Sequence, residues 1–489
     1  MYLQDTIVAP ATAPGRGAVA IVRLSGPDAI AIARRIWRQV EKTGGPAARG
    51  PDAAHRTALQ GDLAPRRLYL GDIVDPATGA HIDRALIVVM PSPHSFTGEH
   101  VAELHCHGGP YIVRRVVGLA MALGARMAEP GEFSRRAFLN SRMELTEAEA
   151  IADLVSARSE GALAQALAQL SGSLKERVQG LRAQVIAIRA HLEAEIDFSD
   201  EDIALPSRNQ IASDIGRLAA DITVLHDSFA RGRMMREGAR ATIVGKPNVG
   251  KSSILNLLLG IERAIVTPIA GTTRDVIEDS IQLGPHSLVI QDTAGVHGGG
   301  DPIEQIGIKR TKAAVDDADL LIAVFDSSRP LEPEDSEIAR LCTDRIGVVL
   351  ANKSDLRPRI LSSELRDLGL TMPILPFSAI RADGVSPLRE ELIRAVEAVA
   401  SPPAAEHGRV RPMGVGVENI AISRERHRDA LARALKALEA AEKSARSNMP
   451  PEIIAVDISA AADSLGSITG EIAGEDVLDA VFREFCIGK

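Results

Sequence analysis

Residues 241–252 of the chain, ATIVGKPNVGKS, decide the fold of its central part. The apolar run Ala241–Val244 predicts a buried strand, and the pattern Gly-x-x-x-x-Gly-Lys-Ser follows it without a gap. A strand, glycine-rich loop and helix start in this order bind phosphate, because backbone N–H groups close around phosphate oxygens and the helix dipole favours negative charge. We therefore expect Lys251 to contact the β- and γ-phosphates of a nucleotide and the Ser252 hydroxyl to bind Mg²⁺.

Two further segments are candidates for contact with the γ-phosphate and its magnesium ion. Asp292–Gly295 (DTAG) follows a predicted strand, so its aspartate can hold the magnesium through a water and its glycine N–H can donate to the γ-phosphate. Upstream, Gly271–Asp275 (GTTRD) predicts a loop whose threonine hydroxyl completes the magnesium shell while a γ-phosphate keeps the loop closed. We expect Thr273 to do this, with Thr272 as the alternative.

Two more motifs are candidates for contact with the guanine base. In Asn352–Asp355 (NKSD), the Asp355 carboxylate can accept hydrogen bonds from the guanine N1 and N2 donors, a pair that adenine does not offer. Ser378-Ala379 follows the next strand, where a backbone N–H can meet the guanine O6. Four motifs in this order predict a GTP-hydrolysing enzyme. The predicted GTP contacts are Asn248, Val249, Gly250, Lys251, Ser252, Ser253, Thr267, Thr272, Thr273, Asp292, Thr293, Ala294, Gly295, Asn352, Lys353, Asp355, Ser378 and Ala379.

Apolar strands alternate with helices around these motifs, which predicts a parallel sheet with helices on both faces. The predicted strands are Ala241–Val244, Ser287–Gln291, Leu320–Phe325, Ile346–Ala351 and Ile374–Phe377. A proline pair after Ser401 suggests an exit linker.

The flanking segments predict helices that pack as a bundle, because their apolar residues recur in steps of three and four. One long helix is expected to carry Leu163, Leu167, Leu170, Leu174, Val178, Leu181, Val185, Ile188, Leu192 and Ile196. The other stripes are Ile211, Ile215, Leu218, Ile222, Leu225 and Phe229, then Leu431, Leu435 and Leu438, then Ile454, Ile458, Leu465, Ile468 and Ile472. Thr146 and Glu149 have the spacing of a capping box and predict a helix start.

The first 140 residues or so predict an α+β domain. Strands are expected at Ala18–Leu24, Leu68–Val74, Ala85–Met90 and His100–His105, and helices at Asp28–Trp37 and Tyr111–Met127. Residues 42–67, rich in Gly, Pro, Ala and Arg, predict a surface insertion.

The composition of the chain limits the classes of protein to which it can belong. A chain of 489 residues suggests two to four domains, and a net charge of −9 disfavours coating of nucleic acid by bulk electrostatics. The 3 cysteines lie far apart, which fits a reducing compartment better than a disulfide framework. The start of the chain has no pattern of a signal peptide, and its apolar runs are too short to cross a membrane. We expect a cytoplasmic protein with no membrane partner.

Outside the nucleotide motifs, the chain resembles the MnmE (TrmE) family of tRNA-modifying GTPases nearly from end to end. The motifs that carry the resemblance are Asp5–Ala9 (DTIVA), Pro14–Gly17 (PGRG), Val22–Gly26 (VRLSG), Ser95–Glu99 (SFTGE), Glu103–Gly109 (ELHCHGG), Pro130–Ser134 (PGEFS), Arg136–Asn140 (RAFLN) and Phe485–Lys489 (FCIGK). The resemblance implies an N-terminal α+β folate-binding and dimerisation domain at 1–141 and an all-α helical domain from 142–236 and 401–489. It places a P-loop GTPase domain, an α/β domain with a parallel sheet, between them at 237–400.

The resemblance also implies an activity. A family member adds a carboxymethylaminomethyl or aminomethyl group to C5 of the wobble uridine of certain tRNAs, as a homodimer that joins the flavoprotein MnmG (GidA) in a heterotetramer. A tetrahydrofolate derivative, 5,10-methylene or 5-formyl, would supply the carbon, and FAD and NADH would act through the partner. GTP, GDP and tRNA are the other implied ligands.

Residue roles follow from the same resemblance. Arg23, Glu103 and Arg142 fall at folate-binding positions, although the family usually has lysine where Arg142 stands; structural or surface charge is the alternative for all three. Cys486 would have a chemical role near that site, or else be an incidental exposed thiol, and Lys489 completes its motif.

Hydrolysis in the family is stimulated by potassium. Asn248 would bind K⁺ together with the loop positions Thr267, Ile269 and Thr272, and the cation would neutralise charge that develops between the β- and γ-phosphates. Glu304 would orient the attacking water through a bridging water.

Two other classes of GTPase are alternatives to this one. A regulatory GTPase of ribosome assembly would bind RNA without modification chemistry, and it usually carries an added RNA-binding module that the sequence does not reveal. A structural GTPase acting on membranes would need a basic amphipathic helix. Folate binding by residues 1–140 would discriminate against both.

Overall fold

A computed structural model describes residues 5–40, 63–198, 206–262, 279–292, 313–400, 420–472 and 474–489. Contacts divide them into two compact units. The first unit contains the described residues up to Ala152 together with 474–489, and the second contains the described residues between Asp153 and Ile472. No helix in the described ranges is long and apolar enough to cross a membrane.

The first unit is built on a seven-stranded sheet with the strand order β3-β4-β5-β6-β2-β1-β7. Neighbouring strands are antiparallel except for β1 and β7, which are parallel. The strands are β1 (Ile7–Pro10), β2 (Val19–Ser25), β3 (Trp37–Gln39), β4 (Tyr69–Val74), β5 (His81–Met90), β6 (Val101–His107) and β7 (Arg126–Met127). Helices α1 (Ala29–Ile36) and α2 (Pro110–Ala122) supply apolar residues to the same core as the sheet.

The predicted strands and helices of this unit are confirmed except at the end of α2. The helix stops at Ala122 instead of Met127, because Gly124 adopts a left-handed φ of 106° and the chain returns as strand β7. Strands β1, β3 and β7 are too short to leave a periodic signal. Of the predicted insertion, residues 42–62 lie outside the described ranges.

Two helices follow the sheet, α3 (Glu132–Leu139) and α4 (Leu145–Ser156). The expected helix start at Thr146 is confirmed to within one residue, since α4 begins at Leu145, and the Glu147 side chain accepts a hydrogen bond from the backbone N–H of Glu144 at 3.1 Å. The N-terminal contact is therefore made by another acidic residue of the same turn.

The remaining elements belong to the second unit, except for the last helix. The helices are α5 (Glu160–Leu170), α6 (Ser173–Asp197), α7 (Arg208–Asp227), α8 (Phe229–Glu237), α9 (Lys251–Glu262), α10 (Pro333–Leu341), α11 (Ser362–Asp367), α12 (Val385–Ala400), α13 (Glu425–Arg446), α14 (Pro451–Thr469) and α15 (Glu475–Arg483). The strands are β8 (Ala239–Val244), β9 (Asp279–Leu283), β10 (His286–Asp292), β11 (Leu320–Asp326), β12 (Gly347–Asn352) and β13 (Ile374–Pro376).

Helices α6, α7, α13 and α14 bury their apolar stripes in one core, which confirms the predicted bundle from two separated segments. The single long helix was wrong: Gly172, with φ of 92°, separates α5 from α6. Leu163 and Leu167 of the predicted stripe are 43% and 48% exposed. Ile472 lies beyond the end of α14 and is also exposed.

The second sheet of the chain has the order β13-β12-β11-β8-β10-β9. It is parallel, as predicted, except that the unpredicted edge strand β9 pairs antiparallel with β10. Helices α9 and α12 pack on one apolar cluster and α10 and α11 on another, so helices cover both faces. The carboxyl ends of β8, β11, β12 and β13 consequently lie at one edge, where ligands bind in such sheets.

Helix α15 packs within the first unit. Its residues Leu478, Val481 and Phe482 share an apolar cluster with Leu145 and Ala148 of α4. This packing brings the last residues of the chain to the unit that contains the first sheet.

Candidate functional sites

The phosphate loop runs from β8 to α9 with the geometry that its glycines require. Asn248 and Gly250 adopt left-handed φ angles of 64° and 107°. A Cβ on Gly250 would lie 2.3 Å from Asn352 Nδ2, so a larger residue would displace that side chain. Ser252 and Ser253 are exposed in the first turn of α9, where the helix dipole favours an anion.

The Lys251 side chain lies over this loop. Its Nζ donates to the carbonyl oxygens of Gly245 and Lys246, each at 2.8 Å. Cation, helix start and exposed hydroxyls therefore converge on the loop, and this set fits a nucleotide phosphate with its magnesium ion.

Lys246 anchors the loop to helix α10. Its Nζ lies 2.7 Å from Glu332 Oε2 and 2.6 Å from Asp335 Oδ2. Burial would lower the pKa of Lys246, but the hydrogen bonds to Asp335 and Glu332 raise it above its usual value. Sequence reasoning missed this contact because the partners lie 86 and 89 residues away.

Asn352 joins two loops of the nucleotide edge. Its Nδ2 donates to the Val249 carbonyl at 2.7 Å, and its Oδ1 accepts from the Ala379 N–H at 3.2 Å. Asn352 is 2% exposed. The Asn352 side chain thus links the phosphate loop to the segment that is predicted to meet guanine O6.

The carboxylate expected to bind guanine is oriented by a neighbour. Ser378 Oγ donates to Asp355 Oδ1 at 2.6 Å, and this bond is the main cause of a lowered Asp355 pKa. Asp355 is consequently a carboxylate acceptor at neutral pH, with Oδ2 as the oxygen that Ser378 does not bind. The two carboxylate oxygens of Asp355 can therefore accept hydrogen bonds from the N1 and N2 donors of guanine.

Lys353 contacts a residue that sequence reasoning missed. Its Nζ lies 2.6 Å from Oδ2 of Asp326, at the end of β11. Burial would raise the pKa of Asp326, but the Lys353 and Ser328 hydrogen bonds lower it. The sequence did contain a signal for Asp326, because it ends a predicted parallel strand in the same way as Asp292 does.

The other predicted positions of this site lie outside the described residues. They are Thr267, Ile269, Thr272, Thr273, Thr293, Ala294, Gly295 and Glu304. Asp292 ends β10, so its backbone reaches the nucleotide edge, but its side chain is not described.

A second polar site lies on the first sheet, where Arg23 on β2 is paired directly with Glu103 on β6. Arg23 Nε donates to Glu103 Oε1 at 2.8 Å, and His105 Nε2 lies 3.2 Å from Glu103 Oε2. The Arg23 guanidinium carbon is 5.6 Å from the ring centroid of Phe96 and 5.7 Å from that of Phe133. Sequence reasoning named Arg23 and Glu103 but missed His105 and both rings.

The predicted site residue Arg142 is exposed and packs against Gly98. Gly98 belongs to the loop that also carries Phe96. Arg142 therefore lies beside that loop, whereas Arg23 and Glu103 contact each other directly.

The last residues of the chain also reach this site. Arg23 Nη1 donates to the Gly488 carbonyl at 3.4 Å, and Ile487 forms a β-bridge with Pro130. Cys486 is half-buried, whereas Cys106 and Cys342 are buried. Burial lowers the pKa of Lys489, and the Arg23 charge acts in the same direction.

Beneath the loop of Phe96 lies a buried charge cluster. Arg136 is 3% exposed and contacts Asp5 Oδ1 at 2.5 Å, Glu132 Oε1 at 2.9 Å and Glu99 Oε2 at 3.2 Å. Glu99 also accepts from Ser25 Oγ at 2.7 Å. These bonds join α3, β2 and the start of the chain to the loop.

We expect Arg136→Ala to lower the free energy of unfolding of this unit by about 3 kcal/mol, because it removes a buried cation that three carboxylates share, while Arg126 still contacts Asp5 and Glu132. Trp37, the 1 tryptophan of the chain, lies buried in the same unit, so its fluorescence in a urea titration reports the change. The control is Arg84→Ala, because Arg84 is exposed and its partner Asp72 is half-buried, so that the expected effect is about 0–1 kcal/mol. Equal effects of the two changes would contradict the proposed weight of the buried cluster.

Acid should weaken the same cluster. Burial would raise the pKa of Asp5 and of Glu132, but their bonds to Arg126 and Arg136 lower both below the usual values. A carboxyl whose pKa is lowered in the folded state stabilises it at neutral pH, and this stability disappears as the pH falls below about 4. Repeating the urea titrations from pH 7 to pH 3 should therefore bring wild type closer to Arg136→Ala.

Comparisons with known proteins identify the family of the chain. The family model described as "MnmE helical domain" matches residues 145–486, and "GTP-binding protein TrmE N-terminus" matches residues 6–142. Proteins named tRNA modification GTPase MnmE align over nearly the full length. The one from Natranaerobius thermophilus is 40% identical over 99% of this chain and 100% of its own, and the one from Geobacter sulfurreducens is 40% identical over 100% of both. That from Heliobacterium modesticaldum is 41% identical over 99% of both. The chain therefore belongs to the MnmE family of tRNA modification GTPases.

Proposed function

We propose that this chain hydrolyses GTP in the course of modifying tRNA. The observation that carries the proposal is the convergence, at one sheet edge, of the phosphate loop with Asn352, Asp355 and Ser378. Family membership over the whole chain supports the link to tRNA. GTP, GDP, Mg²⁺ and tRNA are accordingly its proposed ligands.

In this proposal the chain's own residues bind and orient the nucleotide. Lys251 leaves the loop carbonyls to contact the β- and γ-phosphates, and Ser252 offers its hydroxyl to the magnesium ion, with Thr273 and Asp292 at its other side. Mg²⁺ would neutralise phosphate charge there. Asp355 would select guanine, and the Ser378-Ala379 segment would meet guanine O6. In the ligand-free chain the Ala379 N–H donates to Asn352 Oδ1 at 3.2 Å, which holds that segment next to Asn352.

The proposed reaction adds a carboxymethylaminomethyl or aminomethyl group to C5 of the wobble uridine. The flavoprotein MnmG would supply FAD and NADH chemistry in a heterotetramer with a homodimer of this chain, in the cytoplasm. A tetrahydrofolate derivative would supply the carbon at the site of Arg23 and Glu103. A cation and a carboxylate on neighbouring strands, with the half-buried ring of Phe96 beside the cation, fit a charged heteroaromatic ligand, which supports this part of the proposal.

The domain boundaries stay those proposed from the sequence: 1–141, 142–236, 237–400 and 401–489. Cys486 would act near the folate site. Glu304 would orient the attacking water, and Asn248, with Thr267, Ile269 and Thr272, would bind K⁺.

The decisive experiment is nucleoside analysis of bulk tRNA by mass spectrometry, in cells with and without the protein. We expect loss of 5-carboxymethylaminomethyl-type uridines in cells without the protein, and recovery with the wild-type chain. Glu304→Ala should fail to restore them, because correct placement of the reacting water contributes about 10²–10⁴ to the rate. Its GTP affinity should stay near that of the wild type.

Glu337→Ala is the matched control, because Glu337 is an exposed carboxylate on α10 of the same sheet domain. It should restore the modified uridines fully. Unchanged uridines in cells without the protein would refute the modification function and favour a GTPase of ribosome assembly. A matching loss of GTP affinity in Glu304→Ala would refute the role of Glu304.

A further inference from the structure

The Arg23 guanidinium has two protein partners on different segments of the first unit. Nε donates to Glu103 on the neighbouring strand at 2.8 Å, and Nη1 donates to the backbone carbonyl of Gly488 at 3.4 Å. The second bond joins residues 465 positions apart. Arg23 is only 22% exposed, and the rings of Phe96 and Phe133 limit its movement.

The tail segment, residues 486–489, fits closely where Arg23 contacts it. Gly488 is buried with a left-handed φ of 96°, and a Cβ there would lie 2.0 Å from the Pro10 carbonyl oxygen. Gly131 N–H donates to the Cys486 carbonyl at 3.5 Å. The Gly131–Cys486 bond and the Arg23–Gly488 bond are both long, so several weak contacts hold the segment in place, and the bond from Arg23 is one of them.

We propose that Arg23 is a positioning residue that holds the tail segment, and with it Cys486, against the first sheet. Arg23 could hold the tail segment and bind a ligand at the same time. Nε and Nη1 contact protein oxygens, and Nη2 contacts none among the residues that the structure describes. The inference concerns the ligand-free chain and does not depend on folate or tRNA chemistry.

The rate at which Cys486 is labelled measures how firmly the tail segment is held. Cys486 is half-buried and the other two cysteines are buried, so iodoacetamide should label Cys486 first in the folded protein. Intact-mass time courses in the absence of nucleotide, folate and tRNA give its rate, and Cys486→Ser identifies the signal. Hydrogen exchange of the peptide that contains residues 486–489 provides a second readout.

We expect Arg23→Ala to accelerate labelling of Cys486 about twofold to tenfold, the change in open population that follows loss of one ordinary hydrogen bond. Acceleration with Cys106 and Cys342 still unlabelled therefore reports release of the tail segment from a folded unit.

Gly488→Ala approaches the same contact from the other side and leaves Arg23 intact. It should accelerate labelling to a similar degree, and the double variant should be little faster than either single one, since both release one segment. Arg84→Ala, which removes an arginine from the same sheet, should match the wild type. An unchanged or slower rate in Arg23→Ala, with exchange of the tail peptide also unchanged, would overturn the proposal and leave the proposed tRNA function untouched.

Discussion

Replacing Asp355 with asparagine is expected to lower the affinity for GTP about 10²–10⁴-fold. The carboxylate would accept two hydrogen bonds from guanine, and a hydrogen bond to a charged group contributes about 1.5–3 kcal/mol. Asparagine would also present an N–H₂ group to a donor of the base. The Ser378 bond orients Asp355 from the opposite side, so the loop should persist in the variant.

Xanthosine triphosphate supplies the matching test, because xanthine has an oxygen where guanine has its N2 amino group. Calorimetric titration with both nucleotides should show that Asp355→Asn prefers the xanthine nucleotide. Asp383→Asn, an exposed change near the same loop, should leave the affinity for GTP unchanged. Equal weakening toward both nucleotides would indicate collapse of the loop and contradict direct recognition of the base.

Exchanging potassium for sodium is expected to slow GTP hydrolysis about 10³-fold. The proposed K⁺ lies where related enzymes place an arginine finger, which contributes about 10³–10⁵ to the rate. Asn248 has the left-handed backbone, φ of 64°, at an exposed point of the phosphate loop, which lets its side chain face a bound ion.

The measurement is phosphate release under saturating GTP in potassium, rubidium, caesium and sodium chloride at equal ionic strength. Asn248→Ala should lose most of the potassium stimulation and little of its rate in sodium. Lys246→Ala is the companion variant, because it loosens the loop from Glu332 and Asp335 without removing the proposed ligand. Equal rates in sodium and potassium for the wild type would dismiss a catalytic ion.

The proposed folate site illustrates how far sequence reasoning reached. Arg23 and Glu103 were predicted from motifs, and strand pairing places them directly opposite each other. His105 was left out because strand alternation gives its face and not its partner, and that partner, Glu103, lies 2 positions away on the same face. Arg136 gave no signal either, because a motif does not reveal burial.

What the sequence alone determined was the local chemistry. The phosphate loop, the carboxylate for guanine and the apolar stripes of the bundle are short-range patterns, since a loop needs particular φ angles and a helix repeats every 3.6 residues. The same reasoning failed at Leu163 and Leu167, which continue the apolar spacing of α6 but lie on the separate helix α5 and are exposed.

What only the tertiary structure decided was which distant groups meet. Asn352 bridges two loops, Lys246 anchors the phosphate loop to α10, and Arg23 contacts Gly488 across 465 positions. Such contacts depend on how strands are ordered and how the end of the chain packs. No local periodicity contains that information, because a side chain's partner is set by chain closure and packing and not by its neighbours in sequence.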